Sequence, residues 1–133
     1  MSTETSHAET RDRLRISVGN AAFPPGRTEV TLDPSGRLLV TSELDGADSR
    51  REELKVDSAQ ASEMVALASA RIAAARISER PGLPDEPRYH FALGDGRSTD
   101  LWRSDLKEHP ELDRLVRELQ RTIDEQVRGE ILL

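Results

Sequence analysis

An alternation of apolar and polar residues, repeatedly interrupted by tight-turn sequences, narrows the folds that are open to this chain. Leu14, Ile16 and Val18 alternate with polar neighbours, which is the period of a strand with one buried face. The same period recurs at residues 28–32 and 37–44, on either side of an Asp-Pro-Ser-Gly segment typical of a tight turn. The first third of the chain is therefore predicted to form antiparallel hairpins.

A further hairpin is predicted in the second half of the chain. Tyr89, Phe91 and Leu93 alternate with His90 and with an alanine, and the Gly-Asp-Gly segment that follows is a strong local turn signal. A strand is expected to return over residues 98–103. The shorter segment 51–56 is a candidate for one more strand.

Two segments have apolar residues at helical spacing instead. The first begins after Asp57 or Ser58, either of which can cap a helix, and it extends to about Ile77. The second begins at Pro110 and is followed by Gly129, a residue that often ends helices. Its apolar stripe consists of Leu112, Leu115, Val116, Leu119 and Ile123. The sequence thus predicts an α+β fold, a mainly antiparallel sheet of four to six strands with two helices packed on it.

The length of 133 residues fits one domain. Residues 1–10 are polar and lack periodicity, so we expect a flexible N-terminal tail. Residues 11–128 form the predicted single domain, within which the Pro-rich segment 78–87 is a linker. Residues 129–133 form a short apolar C-terminal tail, for which two alternatives stay open: docking back on the domain, or contact with a partner.

Composition and charge limit the class of function. The chain has no cysteine for disulfides, no apolar run long enough to span a membrane and no signal-peptide pattern, so we expect a cytoplasmic protein. A net charge of −6 argues against nucleic-acid binding and is compatible with protein partners. All but two of the basic residues are Arg, which is typical of GC-rich genomes, so we expect a bacterial source.

The sequence patterns that carry catalysis or hold cofactors are missing. The three His residues lack metal-ligand spacing, and no P-loop, nucleophile elbow or dinucleotide fingerprint is present. The acidic residues Asp95, Asp100 and Asp105 are interpreted as a solvated surface. We therefore expect no enzyme activity, no metal and no cofactor.

Four residues are candidates for binding a partner. Phe23 lies in a loop between Gly19 and Gly26 and is followed by Pro24 and Pro25. Phe23 either folds back to plug the core or forms a stiff apolar wedge, since prolines reduce the entropy lost when such a loop binds. Trp102 is the fourth candidate. It follows the apolar Leu101 and lies on the opposite face of the same strand, where it is either packed under another element or exposed. The candidate binding residues are Phe23, Pro24, Pro25 and Trp102.

The order of these motifs resembles a known family. A strand leads into a Phe-containing loop, a central amphipathic helix follows, and a Y-x-F-x-L hairpin at Tyr89–Arg97 precedes a P-x-L-x-x-L-V-x-x-L helix at Pro110–Leu119. Over Leu14–Leu119 the chain resembles the emfourin-type inhibitors of thermolysin-like metallopeptidases, although Ala21-Ala22 stand where the family has Gly-Gly. The resemblance implies a cystatin-like fold and inhibition of a metallopeptidase.

We therefore expect a non-catalytic, protein-binding regulatory module, with metallopeptidase inhibition as the function that the resemblance implies. Other functions stay open. The chain is alternatively an immunity or accessory protein that binds a co-encoded toxin or enzyme, or a structural subunit of a larger assembly. A further alternative is a small enzyme or ligand carrier whose sheet curls around an apolar pocket.

Overall fold

The computed structural model describes residues 13–20, 26–44, 49–72, 87–127, 131 and 133. Within these residues, strands and helices follow one another in the predicted order. They are β1 (Leu14–Asn20), β2 (Gly26–Leu32), β3 (Arg37–Leu44), β4 (Arg50–Lys55), α1 (Ser58–Ile72), β5 (Arg88–Leu93), β6 (Ser98–Trp102), a 3-10 helix (Arg103–Glu108) and α2 (Pro110–Gln126).

The strands form one six-stranded sheet in the order β4-β3-β2-β1-β5-β6. Every neighbouring pair is antiparallel. The chain builds β1 to β4 as consecutive hairpins, and β5 then pairs with the free side of β1. Leu14 consequently lies opposite Leu32 on one side and Leu93 on the other. The predicted α+β fold with an antiparallel sheet and two packed helices is confirmed.

The turn between β2 and β3 has the predicted geometry. The amide of Gly36 donates a hydrogen bond to the carbonyl oxygen of Asp33 at 3.0 Å, and Gly36 has φ +104°. This left-handed conformation favours glycine. A Cβ at this position would also overlap the carbonyl oxygen of Val56, so both backbone and space require glycine here.

The core lies between the inner face of the sheet and the two helices. The alternating residues of β1 and β5 that were predicted to face the core are buried, namely Leu14, Ile16, Val18, Tyr89, Phe91 and Leu93. In α1 the small residues Ala61 and Ala68 are fully buried, which lets this helix approach the sheet closely. The predicted stripe of α2 is buried as well. The largest fully buried side chains are Tyr89, Phe91, Leu14, Ile16, Leu32, Leu38, Leu101, Leu112, Leu115, Leu119, Ile123 and Val30.

The helix ends refine the predicted boundaries. Asp57, rather than Ser58, caps α1: its Oδ2 accepts hydrogen bonds from the amides of Ala59 and Gln60 at 3.1 and 3.3 Å. The predicted extension of α1 to Ile77 lies outside the described residues. Helix α2 ends at Gln126, earlier than Gly129 indicated, because the next residue is extended and its apolar side chain is buried. No helix in the described part of the chain is long and apolar enough to cross a membrane.

The two described residues of the C-terminal tail lie against the domain. Ile131 and Leu133 are only 2% and 5% exposed. The Gln120 side chain bonds both of them, donating from Nε2 to the Ile131 carbonyl at 2.8 Å and accepting from the Leu133 amide at 2.7 Å. For these two residues, docking on the domain is the alternative observed.

Candidate functional site

The loop with three of the four candidate residues begins and ends at positions that the structure describes. Phe23 and the two prolines after it lie outside the described residues, so the apolar wedge stays a prediction. Strand β1 ends at Asn20 and β2 begins at Gly26, and these two residues are paired. Gly19 and Gly26, which the sequence placed in the loop, belong to the strands, because the ladder between β1 and β2 continues to its last pair.

Trp102 is the last residue of β6 and lies on the outer face of the sheet, the face opposite the core. Leu101 is fully buried, and Trp102 is half-buried, as expected for neighbours on opposite faces. The Arg88 guanidinium carbon lies 5.7 Å from the centre of the Trp102 ring, within the range of a cation–π interaction. Trp102 thus presents an aromatic surface that already stacks with a cation.

The strand register brings Trp102 to the end of the sheet where the Phe23 loop begins. Arg88 lies opposite Trp102 on one side and opposite Gly19 on the other, and Gly19 lies opposite Arg27. Since neighbouring strands are about 4.8 Å apart, Trp102 lies roughly 10 Å across the sheet from β1. We call these four residues, Trp102, Arg88, Gly19 and Arg27, the strand-end row.

A second row of polar residues lies beside the strand-end row on the outer face. His90 lies opposite Asp100 on one side and opposite Ser17 on the other. Asp100 accepts from two neighbours: His90 Nδ1 lies 2.5 Å from its Oδ1, and Arg88 Nη2 lies 3.0 Å from its Oδ2. The carboxylate therefore holds both the imidazole and the guanidinium that stacks on Trp102.

The Ser17 hydroxyl is directed toward β2, the strand on the other side of β1 from His90. Its Oγ donates to Glu29 Oε2 at 3.5 Å and accepts from Arg27 Nη2 at 3.4 Å. Ser, His and Asp side by side have the composition of a catalytic triad, yet a serine nucleophile needs its base within hydrogen-bond reach. No hydrogen bond joins Ser17 to His90 among the described residues, so the geometry lacks this link.

This row is not among the predicted features, because Asp100 is interpreted as part of a solvated surface and His90 is not paired with it. The turn at Gly94–Gly96 was the available signal. A hairpin closed by that turn places both residues on the outer face, directly opposite each other. The neighbour on the other side, Ser17, is set by the pairing of β5 with β1, for which the sequence has no local signal.

Neither a metal site nor a similar known protein assigns a function to this surface. Within the described parts of the chain, no three His, Asp or Glu side chains converge in a way that could hold a metal ion. The resemblance to emfourin-type inhibitors stays a prediction from the motifs. Comparison of the sequence with models of protein families and with curated proteins finds no match to either.

Proposed function

We propose that this protein is a non-catalytic, protein-binding regulatory module that contacts its partner through the strand-end row and the adjoining β1–β2 loop. The observation that carries the proposal is the stacked pair of Trp102 and Arg88 beside the strand ends of that loop. Trp and Arg are among the residue types that contribute most to protein–protein binding. The chain has a single Trp, and it lies at this end of the sheet.

The Arg88 side chain is held in place before a partner arrives. Its guanidinium stacks on Trp102 and bonds the Asp100 carboxylate at 3.0 Å. Binding loses less entropy when contact residues are already ordered. A partner that offers a carboxylate and an apolar group would meet a cation and an aromatic surface at fixed positions.

The β1–β2 loop extends this surface if Phe23 is the predicted wedge. Pro24 and Pro25 restrict the backbone next to the aromatic ring. The resemblance to emfourin-type inhibitors makes a thermolysin-like metallopeptidase our first candidate partner. A co-encoded toxin or enzyme, or another subunit of an assembly, would use the same surface with a different partner.

The outer face supports a role without catalysis. Ser17 directs its hydrogen bonds to Arg27 and Glu29, and His90 is engaged with Asp100. A general base that activates a hydroxyl must lie within hydrogen-bond reach of it. The row is therefore suited to hold Arg88 in position rather than to activate a nucleophile.

Affinity capture tests the proposed surface. The protein is immobilised and exposed to lysate and culture filtrate of the encoding organism, in parallel with Trp102→Ala, Phe23→Ser and the control Leu39→Ala. Leu39 is half-buried and apolar and belongs to a different row of the outer face. We expect one stoichiometric partner that native protein and Leu39→Ala retain and that Trp102→Ala loses. A partner retained equally by both candidate-site variants contradicts the proposal.

An inhibition assay tests the metallopeptidase assignment separately. Increasing amounts of the protein are added to a thermolysin-like metallopeptidase, and hydrolysis of a peptide substrate is measured. We expect stoichiometric loss of activity, and Trp102→Ala is expected to weaken inhibition by about 2 kcal/mol, roughly 30-fold, as for a hot-spot residue. Full activity at excess protein would exclude the inhibitor role, whereas the capture experiment decides the binding role.

A further inference from the structure

A cleft of about 760 Å³ lies on the other side of the sheet from Trp102, between α2, the 3-10 helix and Leu133. Its volume is in the range typical of small-molecule sites. The cleft is open to solvent above core residues, so a ligand can occupy it without displacing a core side chain. Its walls belong to two separate elements, α2 and the 3-10 helix, joined only through His109.

The walls of the cleft carry an excess of positive charge. Four cations and two carboxylates contribute side chains to its lining. Asp113 pairs with Arg117 at 2.6 Å, and Asp124, which keeps its charge, accepts a hydrogen bond from the neutral Gln120 Nε2 at 2.9 Å. The remaining cations form no ion pair with any described residue. They are Arg103 and Lys107 on the 3-10 helix and Arg121 on α2. This local charge is opposite in sign to the net charge of −6.

The floor of the cleft is apolar. Tyr89, Leu106 and Val116 are 1%, 4% and 6% exposed and contribute to its lining. The Tyr89 hydroxyl donates to the Leu133 carbonyl oxygen at 3.3 Å, so the docked tail closes one end. A ligand with an apolar part would cover this floor, and its charged part would reach the cations at the rim.

We propose that this cleft binds a small organic anion with an apolar body. The carboxylate of this ligand lies among Arg103, Lys107 and Arg121, and its apolar body lies on Tyr89 and Val116. Charge complementarity selects an anion, since the described side chains that line the cleft include four cations and two carboxylates. The apolar floor selects an amphiphile over a fully polar anion such as phosphate. This site is separate from the strand-end row and does not rest on the proposed function.

Isothermal titration calorimetry of the full chain with octanoate tests the proposal, with octanol and octyltrimethylammonium as uncharged and cationic analogues. We expect saturable binding of octanoate that weakens with added salt. Both analogues should bind at least about tenfold more weakly, equivalent to the 1.4 kcal/mol of a tenfold change. Comparable binding of octanol and octanoate overturns the role of the cations.

Matched double variants locate the site. Lys107→Gln with Arg121→Gln removes two rim cations, and Arg15→Gln with Arg51→Gln removes two exposed cations from the outer face. We expect roughly tenfold weaker octanoate binding for the first pair and no change for the second. Equal effects of both pairs, or no saturable binding at millimolar octanoate, refute the proposal. Arg27→Gln, which changes the strand-end row at its exposed β2 position, should leave octanoate binding unchanged, which separates this test from that of partner binding.

Discussion

Tyr89 shows how one buried side chain combines packing with a polar bond. Its ring stacks on Phe91 with centroids 6.0 Å apart, and its hydroxyl bonds the Leu133 carbonyl. Burial raises the pKa of Tyr89 above its ordinary value of 10.0, an effect that Arg103 partly offsets and Asp113 reinforces. The folded protein therefore holds this phenolic proton more tightly than the unfolded chain does.

Titration of Tyr89 gives the first prediction. Because Tyr89 is the only tyrosine, the ultraviolet absorbance of tyrosinate reports this residue alone. We expect a pKa above 10.0 in the folded protein and a return to about 10 in denaturant. A midpoint at or below the ordinary value in the folded protein contradicts the buried position.

The same shift predicts a change of stability with pH. The pKa of Tyr89 is higher in the folded protein than in the unfolded chain. Its contribution to the free energy of unfolding is therefore fully present below about pH 10 and is lost as the pH rises through the folded pKa. Urea unfolding should show a falling free energy of unfolding in this alkaline range. Tyr89→Phe removes this part of the fall and lowers stability at neutral pH by about 1 kcal/mol, because one hydrogen bond is lost.

Gly36 and Gly96 allow a matched test of the residue-scale constraints. Both have positive φ, +104° and +97°, but only at Gly36 does an added Cβ overlap another atom. Gly96→Ala should lower the free energy of unfolding by about 1 kcal/mol from backbone strain alone. Gly36→Ala should lower it by at least about 1 kcal/mol more. Equal losses in urea unfolding would show that the overlap with Val56 is relieved without cost.

At the scale of elements, helix α2 is hydrogen-bonded to the end of β4 and to the C-terminal tail through the side-chain amides of two glutamines. Gln126 accepts from the Lys55 amide at 3.2 Å and donates to the Lys55 carbonyl at 2.7 Å. It thus pairs with the end of the edge strand β4 much as a neighbouring strand would. Gln120 makes the equivalent two bonds to the C-terminal tail.

Removing one of these amides should release one segment only. Gln120→Ala loses both bonds to the tail and should lower the free energy of unfolding by about 1–2 kcal/mol, with faster hydrogen exchange of the Leu133 amide. Gln126→Ala, the matched control, should leave exchange at Leu133 unchanged and affect Lys55 instead. Accelerated exchange at both sites in either variant would indicate general loosening of α2.

At the scale of the whole molecule, one core connects all the elements. Ile16 lies on β1, which pairs with β2 on one side and β5 on the other, and it faces Val30 and Phe91. By contrast, outer-face ion pairs such as Arg37–Glu53 are exposed and contribute little to stability. Stability therefore comes mainly from the inner face of the sheet and its helices.

Unfolding should be a single cooperative transition. Trp102 fluorescence and far-ultraviolet circular dichroism should report the same urea midpoint, because both sheet halves share the core. Ile16→Ala should lower the free energy of unfolding by about 2–5 kcal/mol, whereas the exposed neighbour Arg15→Ala should change it by less than about 0.5 kcal/mol. Two separate midpoints would show that β5–β6 unfolds independently.

Elements whose causes are local could be predicted from the amino-acid order alone. A turn depends on about four residues, so the segment before Gly36 predicted the β2–β3 hairpin, and β3 has the predicted bounds. Pro110 likewise predicted the start of α2, and the apolar stripe after it predicted the buried face of that helix. These features follow from backbone preferences and side-chain periodicity, which act over neighbouring residues.

Which distant residues meet depends on how the strands and helices pack together. The pairing of β5 with β1 rather than β4 joins Trp102 and Arg88 to Gly19, and His90 to Ser17. The cations that line the cleft likewise meet because α2 packs beside the 3-10 helix. The alternation of apolar and polar residues predicts which face of a strand is buried, but it does not predict which strand lies beside it. The strand order depends on burying the inner faces of all six strands together.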